Sequence, residues 1–276
     1  MRQYFGPAFW LGVATGVALK ASAAPESIAT LMNRQQQVRA GRESFVRNCI
    51  GCHGTNADGQ GPAAAFLSPK PRNLVEGSFK FRSTPAGSLP TEEDLLRTIE
   101  QGVPRSSMPP FRALPHPEKR ALVAYLQSLR PDWSEMKGAS YAIPDPPPDI
   151  FAKKETLLAS AARGYVVYKE ACLTCHGERG LGDGEGSVGL VDGEGQTLLP
   201  ANFTRRNLKS GPTPKDVYRT ILTGLDGTPM PGFADVYSDA QRWDLVAYVL
   251  VRRGQGAGLY PADLDLSFAN PTAKTR

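Results

Sequence analysis

The sequence contains few of the side chains that bind metals or act as nucleophiles. Only four cysteines and three histidines occur among its 276 residues. The four cysteines and two of the histidines lie in two short segments, which leaves His116 as the only histidine elsewhere. No cysteine is spare, and no histidine pair or carboxylate pair stands near either segment. We therefore do not expect this chain to be an enzyme in its own right.

Dense basic runs are also missing. The 32 lysines and arginines give a formal net charge of +5, but they are scattered and are not interleaved with aromatic residues. This distribution argues against nucleic acid as a partner. Hydrophobic residues make up 41% and charged residues 21%, as in a globular protein and unlike a disordered chain or a membrane channel. The 28 glycines and 24 prolines predict long loops between short helices.

The N-terminus has the pattern of a secretory signal. Arg2 precedes an apolar stretch from Tyr4 to Leu19, and small residues follow at positions 21–24. The apolar stretch, about 16 residues, is short for a membrane-spanning helix. We expect cleavage near residue 24, with a retained membrane anchor as the alternative. In both cases the rest of the chain would lie outside the cytoplasm, in the periplasm.

Two five-residue segments carry the chemistry of the chain, Cys49-Ile-Gly-Cys-His53 and Cys172-Leu-Thr-Cys-His176. Two thiols at this spacing can both reach the vinyl groups on one edge of a haem, and the adjacent histidine can reach the iron. The pattern is the attachment signal for c-type haem. Alternatives are a zinc knuckle, a thioredoxin-like redox pair and two disulfides. Each of them leaves the paired histidines or the export signal unexplained, so two covalent haems are predicted.

The chain repeats itself at an almost constant interval. His53 and His176 are 123 residues apart, as are Tyr125 and Tyr248, and Met108 and Met230 are 122 apart. An interval that holds from before the motif to the last helix indicates two homologous domains. The predicted organisation is a signal or anchor (1–24), a first domain (25–134), a Pro-rich linker (135–155), a second domain (156–255) and a C-terminal tail (256–276).

Local patterns predict helices in both domains, and the expected fold class is all-α. Apolar residues at three- and four-residue steps indicate a helix from Leu31 to Asn48. Thr91 is a typical helix cap with an acidic residue three positions later, and Gly102 ends that helix. A further helix is expected from about Pro117 to Leu129. The prolines between residues 143 and 149 predict a stiff, extended linker.

A haem that carries electrons needs a sixth ligand, because an open iron would bind water, oxygen or peroxide. Of the five methionines, only Met108 and Met230 occupy matching positions, each followed by a proline that stiffens its loop. We predict that both are axial ligands, although most methionines fill cores. His116 is the rival in the first domain, but its place at a helix start favours an exposed side chain.

Both domains resemble class I cytochrome c, and as a tandem the chain is similar to dihaem cytochromes such as cytochrome c4. The resemblance rests on the haem motifs, the Met loops and the helix-crossing positions; the latter are Gly41 and Phe45, Gly164 and Tyr168, 122–125 and 245–248. It covers about residues 35–255 and implies two domains of short helices, each wrapped around one covalent haem c. The implied cofactor-binding residues are Cys49, Cys52, Cys172 and Cys175, and the implied iron ligands are His53, Met108, His176 and Met230.

The resemblance also suggests secondary positions. Pro71 and Pro200 would lie near the histidine ligands. Arg82 and Arg205 could pair with haem propionates, the alternative being exposed surface arginines. Trp243 is expected to be an ordinary packing residue.

The implied function is single-electron transfer between periplasmic or membrane redox proteins. A close variant is a cytochrome subunit of a larger membrane-associated oxidoreductase complex. A dihaem enzyme, such as a peroxidase or a sulfur-compound dehydrogenase, is the alternative from a different class. Such an enzyme needs an open or displaceable iron.

Overall fold

The computed structural model describes residues 28–136, 138–205 and 207–261. The expected signal segment lies outside this part of the chain, as does the tail beyond residue 261. Within the described residues the secondary structure is helical and no strand is present, which confirms the all-α prediction. Extended pairing there is limited to the isolated bridges Val191–Thr197 and Leu208–Gly211. None of the described helices is both long and apolar enough to cross a membrane.

Ten α-helices follow one another in the described chain. They are α1 (Ile28–Asn48), α2 (Ile50–His53), α3 (Glu92–Gln101), α4 (His116–Ser128), α5 (Trp133–Met136), α6 (Pro148–Phe151), α7 (Lys154–Ala171), α8 (Leu173–His176), α9 (Pro214–Thr223) and α10 (Asp239–Gly256). Short 3₁₀ turns at Ala64–Phe66 and Glu185–Ser187 follow the two haem motifs. The helices predicted from residue 31 and from about residue 117 are therefore confirmed to within a turn.

In each domain the first long helix crosses the last one at a glycine. A Cβ on Gly41 of α1 would overlap the carbonyl of Ala121 in α4, and a Cβ on Gly164 of α7 would overlap that of Asp244 in α10. Ala121 and Asp244 are themselves 123 residues apart, so the two crossings are equivalent. Glycine is required here because the backbones approach too closely for any side chain.

Aromatic pairs lock these crossings. The rings of Phe45 and Tyr125 are 5.2 Å apart in the first domain, and those of Tyr168 and Tyr248 are 4.5 Å apart in the second. Such pairs add about 0.5–1.5 kcal/mol to the burial of their area. Trp243 stacks on Tyr218 at 4.5 Å and is 3% exposed, which agrees with its predicted packing role.

The middle helices α3 and α9 begin with the same cap. The hydroxyl of Thr91 accepts the backbone N–H of Asp94, whose carboxylate accepts that of Thr91, and Thr213 and Asp216 repeat the arrangement. Burial alone would raise the pKa of Asp94. The charge of Arg97 and hydrogen bonds from Ser83, Arg97 and Thr91 outweigh it and hold the pKa below its ordinary value. The cap thus stays ionised and anchors the chain before the helix.

The linker differs from the prediction of a continuous extended segment. Residues 138–147 are non-helical, but Pro148 starts the short helix α6, and α7 begins at Lys154. Proline is well tolerated in the first turn of a helix because its missing N–H would have no partner there. The last proline of the run therefore starts a helical turn. The side chain of Phe151, at the end of that turn, packs on Trp243.

Candidate functional site

Both Cys–His motifs form the same short turn after a long helix. Cys49 is the N-cap of α2, and its carbonyl accepts the backbone N–H groups of Cys52 at 3.2 Å and His53 at 2.9 Å. In the second domain the carbonyl of Cys172 accepts those of Cys175 at 3.3 Å and His176 at 2.9 Å. Residues three apart on one helical turn share a face. Each turn therefore presents two thiols on one side, with a histidine next to them.

The state of the thiols argues against a thioredoxin-like pair. All four cysteines are free. Burial, together with the neighbouring thiol, raises the pKa of Cys49 and of Cys172 to about 11. Reactive redox pairs need a lowered thiol pKa. A zinc knuckle is not favoured either, since no three His, Cys, Asp or Glu side chains converge within the described residues.

The two motif histidines are held by backbone carbonyls. Nδ1 of His53 lies 3.0 Å from the Arg72 carbonyl, and Nδ1 of His176 lies 3.1 Å from the Ala201 carbonyl. A carbonyl only accepts, so Nδ1 carries the proton and Nε2 keeps its lone pair for a metal. Burial lowers the pKa of both imidazoles, although these hydrogen bonds oppose the shift. Both shifts favour the neutral imidazole, the form that can bind a metal.

The two methionine loops match bond for bond. In the first domain the backbone N–H of Met108 donates to the Ser106 hydroxyl at 3.2 Å, and its carbonyl accepts from Val103 at 3.1 Å. Met230 makes the same two bonds, with Thr228 at 3.2 Å and with Leu225 at 3.1 Å. Each loop is thus fixed by a hydroxyl and a backbone amide. The ligand role of these methionines stays a prediction, but the loops share one geometry.

A cavity of about 430 Å³ brings the predicted residues of the first domain together. Cys49, Cys52, His53 and Met108 all line it. Its remaining walls are largely apolar and include Phe45, Leu74, Phe79, Phe81, Leu95, Ile99, Val103, Phe111, Leu122 and Leu126. Two thiols, a neutral imidazole and a thioether around an apolar space are the donor set that a covalent haem requires. The residues present therefore fit a haem c.

Some of the further residues named from the sequence lie at the cavity and others lie elsewhere. Pro71 also lines the cavity. Arg82 is not a surface arginine: its side chain is fully buried between the domains, where Nη2 meets Asp226 at 2.6 Å and the Thr223 carbonyl at 3.1 Å. Its Nη1 is buried and has no partner among the described residues, but Arg82 is not among the residues that line the cavity, so pairing with a propionate stays a prediction. His116 is exposed, as predicted, and Arg205 is exposed, as in the alternative considered for it.

The carbonyls of Arg72 and Ala201, which hold the histidines, were not among the predicted site residues. The signal was available in the two Pro-x-Asn segments that end at Asn73 and Asn202. The Asn73 side chain accepts backbone N–H groups of Val75 and Glu76, and that of Asn202 accepts the N–H of Thr204. These bonds fix the turn that aims each preceding carbonyl at its histidine.

Known families and solved structures include matches to this chain. The family model described as cytochrome c oxidase, cbb3-type, subunit III matches the chain twice, at residues 36–126 and 159–249. A chain of the reducing HAO-like protein complex of Kuenenia stuttgartiensis is 38% identical, with a TM-score of 0.70; the match covers 77% of the present chain and 95% of that chain. No curated protein matches the sequence.

Proposed function

The chain belongs to the cytochrome c family described as cytochrome c oxidase, cbb3-type, subunit III, as a tandem of two class I domains, and on that premise we propose that it carries electrons. Each domain would hold one covalent haem c, and single electrons would pass between redox proteins through the two irons. The chain itself would transform no substrate.

One observation carries the proposal: both domains combine a carbonyl-fixed histidine with the same rigid methionine loop. If His53 with Met108, and His176 with Met230, held the two irons, neither iron would have a position open to a small molecule. Such an iron changes oxidation state with little change of geometry, and methionine ligation raises its potential. These are the properties of a carrier, not of a centre that binds and converts a small molecule.

Each haem, when bound, supplies the one-electron couple of its iron. The polypeptide supplies the rest. His53 and His176 are held in one tautomer by their carbonyl partners. In the first domain, buried apolar residues such as Phe45 and Leu122 exclude water from the cavity, which reduces solvent reorganisation during transfer. The paired thiols of Cys49 and Cys52 would attach the group covalently at the turn α2.

The partners are proposed to be redox proteins, one donor and one acceptor. The similarity to a chain of a protein complex favours a cytochrome subunit within a larger oxidoreductase assembly as the second candidate. Export to the periplasm, with a cleaved signal or a retained anchor at residues 1–24, completes the proposal, because haem attachment of this type takes place outside the cytoplasm.

The test compares electron transfer with peroxide chemistry in the purified haem-loaded protein. The fully reduced protein is titrated anaerobically with ferricyanide, and we expect two electrons per chain. With hydrogen peroxide and a reducing dye, we expect no sustained turnover, because neither iron would have an open position. Continuous peroxide-dependent oxidation of the dye, or rapid carbon monoxide binding at one haem of the wild-type protein, would establish the enzyme alternative instead.

A further inference from the structure

The second domain contains an insertion directly after its haem motif. Gly61 and Gly184 are equivalent, since each donates its backbone N–H to the carbonyl of the second motif cysteine, and they are 123 residues apart. Pro71 and Pro200 precede the equivalent carbonyls and are 129 residues apart. The second domain therefore holds six more residues in this interval.

The segment that contains the insertion forms a short hairpin, residues 190–198. Val191 bridges to Thr197, Asp192 N–H donates to the Gln196 carbonyl at 2.9 Å, and Leu198 N–H donates to the Leu190 carbonyl at 2.8 Å. The hairpin also contacts the first domain. Several of its residues and the residue after it line the cavity of the first domain, namely Asp192, Glu194, Gln196, Thr197, Leu198 and Leu199. The first haem site is thus completed by the second domain.

Charged pairs hold the hairpin in place. Nη1 of Arg72 lies 2.7 Å from the Glu194 carboxylate, and Nη2 lies 3.6 Å from that of Asp192. Nζ of Lys80 lies 3.0 Å from Asp192, whose side chain is only 3% exposed. Burial would raise the pKa of Asp192, but Lys80 and the backbone N–H groups of Gln196 and Glu194 hold it below its ordinary value. A buried carboxylate therefore keeps its charge at the wall of this cavity.

Arg72 connects this cluster of charged residues to His53. Its side chain binds the hairpin, while its own carbonyl accepts the Nδ1 proton of His53. The equivalent residue in the second domain is Ala201, whose carbonyl serves His176 but whose side chain carries no charge. The charged link between the domains thus exists at one haem site and not at the equivalent place of the other.

We propose that the hairpin of residues 190–198 is part of the first haem site, and that Asp192 and Arg72 are positioning residues that set the potential of the first haem alone. This inference rests on the proposed function, because it presumes two haems. A carboxylate at a poorly solvated wall favours the ferric iron, and a guanidinium disfavours it. The two haems consequently differ in potential even though their ligand loops match.

The test is a spectroelectrochemical titration of the haem-loaded full chain and its variants. Asp192→Asn is expected to increase the ratio of reduced to oxidised first haem about tenfold at a fixed solution potential, which is about 59 mV for one electron. Arg72→Gln is expected to decrease that ratio by a similar factor. The potential of the second haem should be unchanged in both variants. Met108→Ala and Met230→Ala identify which transition belongs to which haem.

Asp145→Asn is the matched control, because Asp145 also pairs with a lysine, Lys215 at 2.8 Å, but is 89% exposed in the linker. It should leave both potentials unchanged. A charge effect shifts the potential of the first haem in opposite directions in Asp192→Asn and Arg72→Gln. Loosening of the hairpin would shift that potential in the same direction in both variants. Shifts of the same sign, equal shifts of both haems, or no shift would overturn the inference. A wild-type protein without two haems would instead refute the proposed function.

Discussion

Replacing Cys172 and Cys175 together by alanine is expected to halve the covalent haem content, from two haems per chain to one. The reason is that thioether bonds from these two cysteines would attach the haem. Neither cysteine forms a disulfide, so a disulfide does not explain why the second motif repeats the first. Replacing Cys49 and Cys52 should also leave one haem, held by the second domain. Pyridine haemochrome spectra and the mass of the denatured, intact chain measure the stoichiometry.

The four-alanine variant should carry no covalent haem. As a control for altered folding, Val188→Ala changes an 84% exposed residue close to the second motif and should retain both haems. The interpretation fails if either double variant keeps two covalent haems. It fails equally if wild-type protein carries zinc or disulfides in place of haem, because the motifs would then serve one of the alternatives considered for the sequence.

Replacing Met230 by alanine is expected to open the second iron to exogenous ligands, and Met108→Ala should do the same at the first. Carbon monoxide affinity of the reduced protein should rise at one haem by about a hundredfold or more, equivalent to about 2.8 kcal/mol. The physical reason is that carbon monoxide must displace the methionine thioether from the iron in the wild type, whereas alanine provides no ligand to displace. Optical titration with carbon monoxide measures the change, and high-spin features should appear in the same variant.

Met32→Ala provides the control for the methionine variants. Met32 lies in α1 and its side chain is 57% exposed, so its loss should leave carbon monoxide binding as in the wild type. If Met108→Ala or Met230→Ala also left binding unchanged, another residue would have to be the sixth ligand. His116 is exposed at the start of α4, so the same measurement on His116→Ala would check that alternative.

Much of the fold follows from local patterns in the sequence. The cap at Thr91 and the stop at Gly102 depend on short-range chemistry, which recurs in the second repeat. The helix-crossing glycines meet residues about 80 positions away, and they were expected only from the family resemblance. The haem motifs are equally local, because two thiols and a histidine within five residues already define the chemistry. The axial role of the methionines was inferred from matching positions and stays a prediction, supported by the matched hydrogen bonds of the two loops.

The contacts between the domains could not be predicted in this way. The Gly-rich insertion before Pro200 has no apolar periodicity, so nothing local shows that Asp192 pairs with Lys80, which is 112 residues earlier. The burial of Arg82 has the same origin, since its partners Thr223 and Asp226 belong to the other domain. Such pairs depend on the path of the linker, which sets the relative position of two separately folded units.

The central claim, two closed and six-coordinate haems in one chain, is tested most directly by a redox titration of the wild-type protein followed by optical spectra. We expect two one-electron transitions, low-spin spectra in both oxidation states, and a Met-to-iron absorption band whose intensity corresponds to two haems per chain. A high-spin component in the wild-type protein, or a band that corresponds to a single haem, would contradict it.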